Sequence, residues 1–353
     1  MSGRGPTPIT FAVPGDIDAL TGGYIYEKSL LIALRDAGWD VAHLRLPGSY
    51  PDVTPADEDA TIAALAALPA DRPILMDGFL TGATDPTKLA QVAAPYVAIC
   101  HHPLASETGI DPARAARLHE IERANLGRAA HVLVPSPHTA KALTRDYGVR
   151  AERLTVALPG LARPALGAVP KAAPPLILAV GQLVPRKGHD VLLKALATLT
   201  DLDWQATILG GPTEPTYASE LDALRTELGL SDRVTFGGLV GPDVLSTHYA
   251  QARLFALATH YEGYGMVFAE ALAHGLPIVS CVGGAVPDTV PPDAGLLSPP
   301  GDVPAFAAHL RQLLEDPARL SQMADAALAH GRALPTWADT ARIASEVLTR
   351  VQP

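Results

Sequence analysis

Two carboxylates eight residues apart, Glu262 and Glu270, stand in the stretch of this chain best suited to chemistry. It reads Glu262-Gly-Tyr-Gly-Met-Val-Phe-Ala-Glu270 and continues through Gly275, Pro277 and Ser280. On a helix this spacing is roughly 12 Å along the axis, too far for one shared proton. The pair could instead hold two separated parts of one long ligand. Gly263 and Gly265 would present backbone N–H groups at a helix start, which suits an anion. The plain structural alternative is a helix with an acidic first turn and one buried, paired Glu.

Those residues need elements to hold them. Ala252–Ala258 is short and apolar enough for a buried strand, and Thr259-His-Tyr would turn off its end. Met266–His274 reads as a helix closed by Gly275, where a C-terminal cap belongs. Pro277–Ser280 opens the next strand. The local order is strand, glycine-rich turn, helix, strand.

The full string resembles the Glu-x7-Glu signature of retaining GT-B glycosyltransferases of the family 4 type. That pattern is E-G-[FY]-G-x5-E-A-x-A-x-G-x-P-[IV]-[IV], and nearly every position matches. The resemblance implies that Glu262 meets a donor sugar and Glu270 the ribose of its nucleotide. It is specific from Val180 to Asp302 and looser before Leu158.

The same alternation runs through the chain. Pro8–Val13 reads as a strand, Tyr24–Ala37 as a helix with helical apolar spacing, and Trp39–Leu44 as a strand. Gly22-Gly23 opens that first helix, where backbone can approach a phosphate; the family has a similar pair beside the donor. Further helices are expected at Asp57–Leu68, Lys88–Ala94 and Pro112–Arg128, and strands at Pro73–Met76, Tyr96–Cys100 and His131–Val134. The strand Tyr96–Cys100 ends in His101-His102-Pro103. Chemistry in α/β folds sits past the C-terminal ends of parallel strands. The family places a His there, near the donor sugar; His101 fits better and His102 is the near alternative. Leu104–Pro112 reads as an active-site loop, and Arg163–Pro175 as a linker.

The second half starts as the first did. Leu176–Val180 is a strand, Gly181–Gly188 a loop and His189–Leu199 a helix. The resemblance implies a GT-B fold: two doubly wound Rossmann-like domains facing a central cleft, with a C-terminal helix crossing back to the first. Residues 1–162 and 336–353 would form an acceptor-binding domain, and 163–335 a nucleotide-sugar domain. His101, Lys187 and Glu262 are the implied catalytic residues. Donor binding falls to Gly22, Gly23, His102, Arg186, Gly188, Leu239, Val240, Gly263, Tyr264, Gly265, Met266 and Glu270. One position departs from the pattern: the loop at Gly181 usually has Arg second, and this chain has Gln182.

Bulk properties narrow the classes. The 353 residues suffice for two ordinary domains. Hydrophobic content is 48%, yet no window has the ~18 unbroken apolar residues of a membrane span. A net charge of −10 argues against nucleic acid and against more than peripheral contact with anionic lipid. The polar start, Met1 to Pro8, reads as no signal peptide, so a cytoplasmic location is expected. Cys100 and Cys281 read as buried thiols, and no spacing suits a metal.

The expected activity is retaining transfer of a hexose-type sugar from a UDP- or GDP-sugar to a hydroxyl. The acceptor is a sugar, small molecule or lipid. No cofactor or metal is implied, because side chains and amides neutralise the leaving diphosphate. Three alternatives stand beside it: a sugar epimerase of the same fold, a membrane-surface glycolipid synthase, and a non-catalytic nucleotide-sugar-binding subunit. Gln182 is the feature that favours the last.

Overall fold

The computed structural model describes residues 8–107, 109–164, 169–212 and 215–352. The polar start before Pro8, Thr108 of the expected active-site loop and residues 165–168 of the expected linker lie outside these. The chain divides into two compact units, Met1–Gly160 with Pro335–Pro353, and Leu161–Leu334.

The first unit holds six strands: β1 Pro8–Pro14, β2 Asp40–Leu46, β3 Ile74–Met76, β4 Tyr96–Ile99, β5 His131–Val134 and β6 Leu154–Val156. β1 and β3 to β5 are apolar runs buried almost throughout, as strands covered on both faces must be. They form one parallel sheet in the order β2-β1-β3-β4-β5-β6. The chain leaves β1 for β2 on one side and returns to β3 on the other. The order therefore reverses between β1 and β3, and such a reversal opens a crevice at the strands' C-terminal ends.

Three segments converge there. The helix Gly22–Asp36 follows β1 and is capped by the Thr21 side chain. It buries Tyr26, Leu30, Leu31 and Leu34 at helical spacing, and Glu27 with them. Asp77 follows β3, and His101 follows β4.

The helix Trp337–Val351 belongs to this unit. It starts with a capping box between Thr336 and Asp339. Trp337 meets Tyr26 edge-on at 5.5 Å between ring centroids. Trp39 Nε1 donates to Ser345 Oγ at 2.8 Å, and Thr340 Oγ1 donates to the Leu158 carbonyl at 2.8 Å. Gly160 is required by close approach, since a Cβ there would run into the backbone of Thr336 and Trp337.

The second unit holds β7 Leu176–Val180, β8 Gln205–Leu209, β9 Val234–Gly238, β10 Leu254–Leu257, β11 Ile278–Cys281 and β12 Gly295–Ser298. Their parallel sheet runs β12-β11-β10-β7-β8-β9. Here the order reverses between β7 and β10, where Phe255 lies opposite Leu178. The loops that leave these two strands are Gly181–Gly188 and Thr259–Gly265. Phe255, Phe268, Leu272 and Leu276 are fully or almost fully buried beneath them, each worth about 1.5–3 kcal/mol of burial.

Several helices differ from the sequence reading. The helix expected at Lys88–Ala94 is the single turn Pro86–Leu89, set early by the Asp85 cap and Pro86. Helices at Gly78–Ala83, Pro242–Gln251 and Pro317–Ala333 were not anticipated. The first carries two glycines and is capped by Asp77; each of the others begins with Pro at its first turn.

Candidate active site

In the second unit the loops after β7 and β10 are stitched together. His260 N–H donates to the Arg186 carbonyl at 2.8 Å. Gly188 has φ +62°, and a Cβ on it would strike the Ala258 carbonyl, so only glycine allows this approach. Across the stitch, Lys187 Nζ donates to Glu262 Oε1 at 2.6 Å. Arg186 Nη1 lies 3.6 Å from Glu262 Oε2 and donates to the Tyr261 carbonyl at 2.7 Å. Thr259 Oγ1 adds a 3.0 Å hydrogen bond to Glu262 Oε1.

Glu262 is 5% exposed. Burial alone would push its carboxyl upward, but Lys187, Arg186 and the bonds from Lys187 and Thr259 hold it below the usual range. It is ionised at neutral pH. Two cations, Lys187 and Arg186, thus flank one carboxylate at the reversal of strand order. Arg186 is thus no solvated loop residue: its side chain is 15% exposed and engaged on two sides.

Gly265, with φ +85°, opens the helix Met266–Ala273, and no side chain caps that helix. A Cβ at Gly265 would also crowd the Phe268 ring. Tyr264 is buried, while Gly263 and Met266 are partly exposed. Gly284 presses against the Glu262 backbone through an isolated bridge. Glu270 lies on that helix and accepts from Tyr249 Oη at 2.8 Å. The residue keeps some exposure, but its carboxyl is enclosed, and desolvation pushes it up to about 7 despite the Tyr249 bond. Leu239 is 63% exposed beside Gly211, and Val240 follows it, partly buried. Gln182 lends its carbonyl to His189 Nε2 at 3.1 Å.

In the first unit, Gly22 and Gly23 form the first turn of their helix, and a Cβ on Gly23 would sit 3.4 Å from His101 Cδ2. His101 Nε2 lies 3.4 Å from Glu27 Oε1. Burial lowers the His101 pKa, against an opposing pull from Asp77, so the ring is neutral at pH 7. His102 turns elsewhere, 3.2 Å from the half-exposed Glu107. Of the two histidines, only His101 joins a buried cluster.

That cluster was not legible in the sequence. Glu27 is fully buried, Asp77 is 3% exposed, and ligand-type atoms of Glu27, Asp77 and His101 lie within 4.8 Å of one another. Asp77 also accepts from Phe79 N–H at 2.7 Å. A charged side chain inside an apolar helical stripe was the available signal at Glu27. Tyr249 and Thr259, the partners of Glu270 and Glu262, were missed as well, and nothing local marks them.

Two parallel sheets, each with charged groups at its reversal of strand order, make this an α/β protein of the GT-B class. Sucrose-phosphate synthase from Thermosynechococcus elongatus has the same fold, with a TM-score of 0.82 at 23% identity over 98% of this chain and 99% of that one. The Anabaena HepE protein in complex with UDP-glucose gives 0.77 at 19%, over 98% and 100%. Residues 168–330, nearly the whole of the second unit, match the family described as glycosyl transferases group 1. A D-inositol 3-phosphate glycosyltransferase from Thermomonospora curvata is 30% identical over 266 residues, 68% of this chain and 61% of that protein. A GDP-mannose-dependent monoacylated alpha-(1-6)-phosphatidylinositol monomannoside mannosyltransferase from Corynebacterium glutamicum is 35% identical over 217 residues, 58% and 54%. The chain thus spans less than two thirds of the length of these curated relatives. Among the described residues no helix is long and apolar enough to cross a membrane.

Proposed function

We propose that this chain transfers a hexose-type sugar from a nucleoside diphosphate donor to a hydroxyl, with retention at the anomeric carbon and without a metal on the diphosphate. The observation that carries this reading is the Arg186–Lys187–Glu262 cluster, which sets two cations at the reversal of strand order. A diphosphate needs cationic hydrogen-bond donors, and these two are already positioned before it arrives. When donor binds, Lys187 and Arg186 turn part of their hydrogen bonding to phosphate oxygens. Glu262 is then released to accept from sugar hydroxyls.

The uncapped start of the helix at Met266 adds backbone dipoles for the same anion. Glu270, once ionised, takes the ribose diol, and the exposed Leu239 with Val240 offers an apolar face to the base. His101 is also assigned to the sugar. In the reaction the bond from the anomeric carbon to the phosphate oxygen breaks, and the acceptor oxygen bonds on the same face. The acceptor's proton passes to the departing phosphate, so no protein nucleophile is needed. Lys187 stabilises the charge that grows there.

Two likenesses support a sugar nucleotide: one relative is named for GDP-mannose, and one structural neighbour holds UDP-glucose. The test is a calorimetric and donor-hydrolysis screen over UDP-, GDP- and ADP-sugars. A donor that binds and is slowly hydrolysed is the expected result, and binding of none refutes the reading. The second reading, a binding subunit without turnover, draws on Gln182 in place of the usual Arg. Tight donor binding with neither hydrolysis nor transfer would favour it.

A further inference from the structure

The carboxyl groups of Glu27 and Asp77 meet at the first unit's own reversal of strand order, walled in by β1, β3 and β4. Both Glu27 oxygens and His101 Nε2 are buried and lack a hydrogen-bond partner. A proton on one carboxyl supplies a donor between the two acids, which as carboxylates can only accept. The titratable groups acting on the two acids are each other, His101, Tyr24, Tyr26 and Cys100. None of these is a lysine or arginine. Two adjacent buried anions with no cation cannot both stay charged.

We propose that Glu27 and Asp77 share a single proton and, as a buried carboxyl pair, position the neutral His101 imidazole for the donor sugar. The inference rests on the glycosyl-transfer reading above. Glu27 cannot touch substrate, since it is fully buried, so it acts through His101, whose side chain is 22% exposed. The pair fixes the Nε2 edge of the ring against the first turn of the helix Gly22–Asp36, where Gly23 leaves room for it. Base removes the shared proton, leaves two anions beside the ring and disturbs its placement. Burial accordingly pushes the Glu27 carboxyl up to about 7, and Asp77 well above its usual range. The titration belongs to the pair and not to either acid.

Glu27→Gln mimics the protonated acid and cannot ionise; Glu27→Ala removes the support. The first readout is the melting temperature of the full chain against pH, which needs no donor. A carboxyl whose folded pKa is raised makes the protein lose stability as pH rises from the unfolded value to the folded one. Wild type should therefore lose stability relative to Glu27→Gln between about pH 5 and pH 8. Parallel curves would overturn the proposal.

The second readout is turnover with a confirmed donor. Glu27→Ala should lower kcat by ~10-fold or more, as for a misplaced catalytic contact, with bare nucleotide affinity unchanged. Glu27→Gln should recover most of that loss near pH 6 and lack the alkaline fall of wild type. The same alkaline fall in Glu27→Gln overturns the proposal. So does one equivalent of Mn²⁺ or Zn²⁺ held by wild type and lost in Glu27→Gln, because the three atoms would then be metal ligands. If wild type uses no donor, the transfer reading fails, and the melting curves still decide the shared proton.

Discussion

Replacing Lys187 by Ala should damage both stability and turnover, and the two effects can be separated. The substitution strands a carboxylate that is 5% exposed. It removes the 2.6 Å bond and leaves Arg186 at 3.6 Å with the Thr259 hydroxyl. Removing one member of a buried pair costs about 3–5 kcal/mol, and the remaining Arg186 argues for the lower end, about 3 kcal/mol. Pairing Lys187→Ala with Glu262→Gln tests the cause. The glutamine keeps the shape and needs no cation, so the double variant should regain about 2 kcal/mol of the summed losses.

Trp204 is buried in the second unit, while Trp39 and Trp337 lie in the first. In a Trp39→Phe/Trp337→Phe background, Trp204 fluorescence during urea unfolding therefore reports the second unit alone. Acid provides a further check. The depressed Glu262 pKa means that its stabilisation is present above the unfolded carboxyl value and is lost as pH falls through the folded one. The gap between wild type and Lys187→Ala should narrow on acidification. Turnover, measured where both proteins are folded, should fall ~10²–10³-fold, as for a lost electrostatic stabiliser. Losses additive to within about 0.5 kcal/mol in the cycle would refute the pairing. Full activity in Lys187→Ala with a confirmed donor would refute the diphosphate site.

Glu270 has a carboxyl pushed up to about 7, so nucleotide affinity should strengthen as pH rises through that value and the acid ionises toward the ribose diol. Glu270→Gln should abolish this dependence and weaken UDP or GDP binding by about 1.5–3 kcal/mol, and calorimetry across pH checks both. Gly188→Ala should break the close approach to Ala258 and abolish donor binding while leaving unfolding of the first unit unchanged, which Trp39 and Trp337 fluorescence in a Trp204→Phe background reads. Activity should survive EDTA, because the diphosphate is assigned to Lys187, Arg186 and backbone amides; strict Mg²⁺ or Mn²⁺ dependence would move the chemistry to a different kind of site.

The alternation of strand and helix was legible in the sequence because it is local. Apolar runs such as Leu176–Val180 and Tyr96–Ile99 announce buried strands whatever surrounds them. The glycines at 188 and 265 were legible for the same reason: each sits at a loop-to-helix junction where backbone needs positive φ. Lys187, Glu262 and Glu270 were singled out by pattern. Their partners were not, and the pattern assigned Lys187 and Glu262 to separate ligand groups when they are bonded to each other.

Partner choice depends on strand order, which no local window contains. Residues 186–187 and 262 meet because β10 lies beside β7, although β8 and β9 intervene in the chain. Glu27, Asp77 and His101 meet because β3 returns to the far side of β1 and β4 follows it. Composition and periodicity settled that this chain builds two parallel sheets with glycine-rich turns at their C-terminal ends. Only the tertiary structure settled which turns are neighbours, because packing of the crossover helices sets the strand order. Strand order in turn decides which buried charges find a partner and which must share a proton.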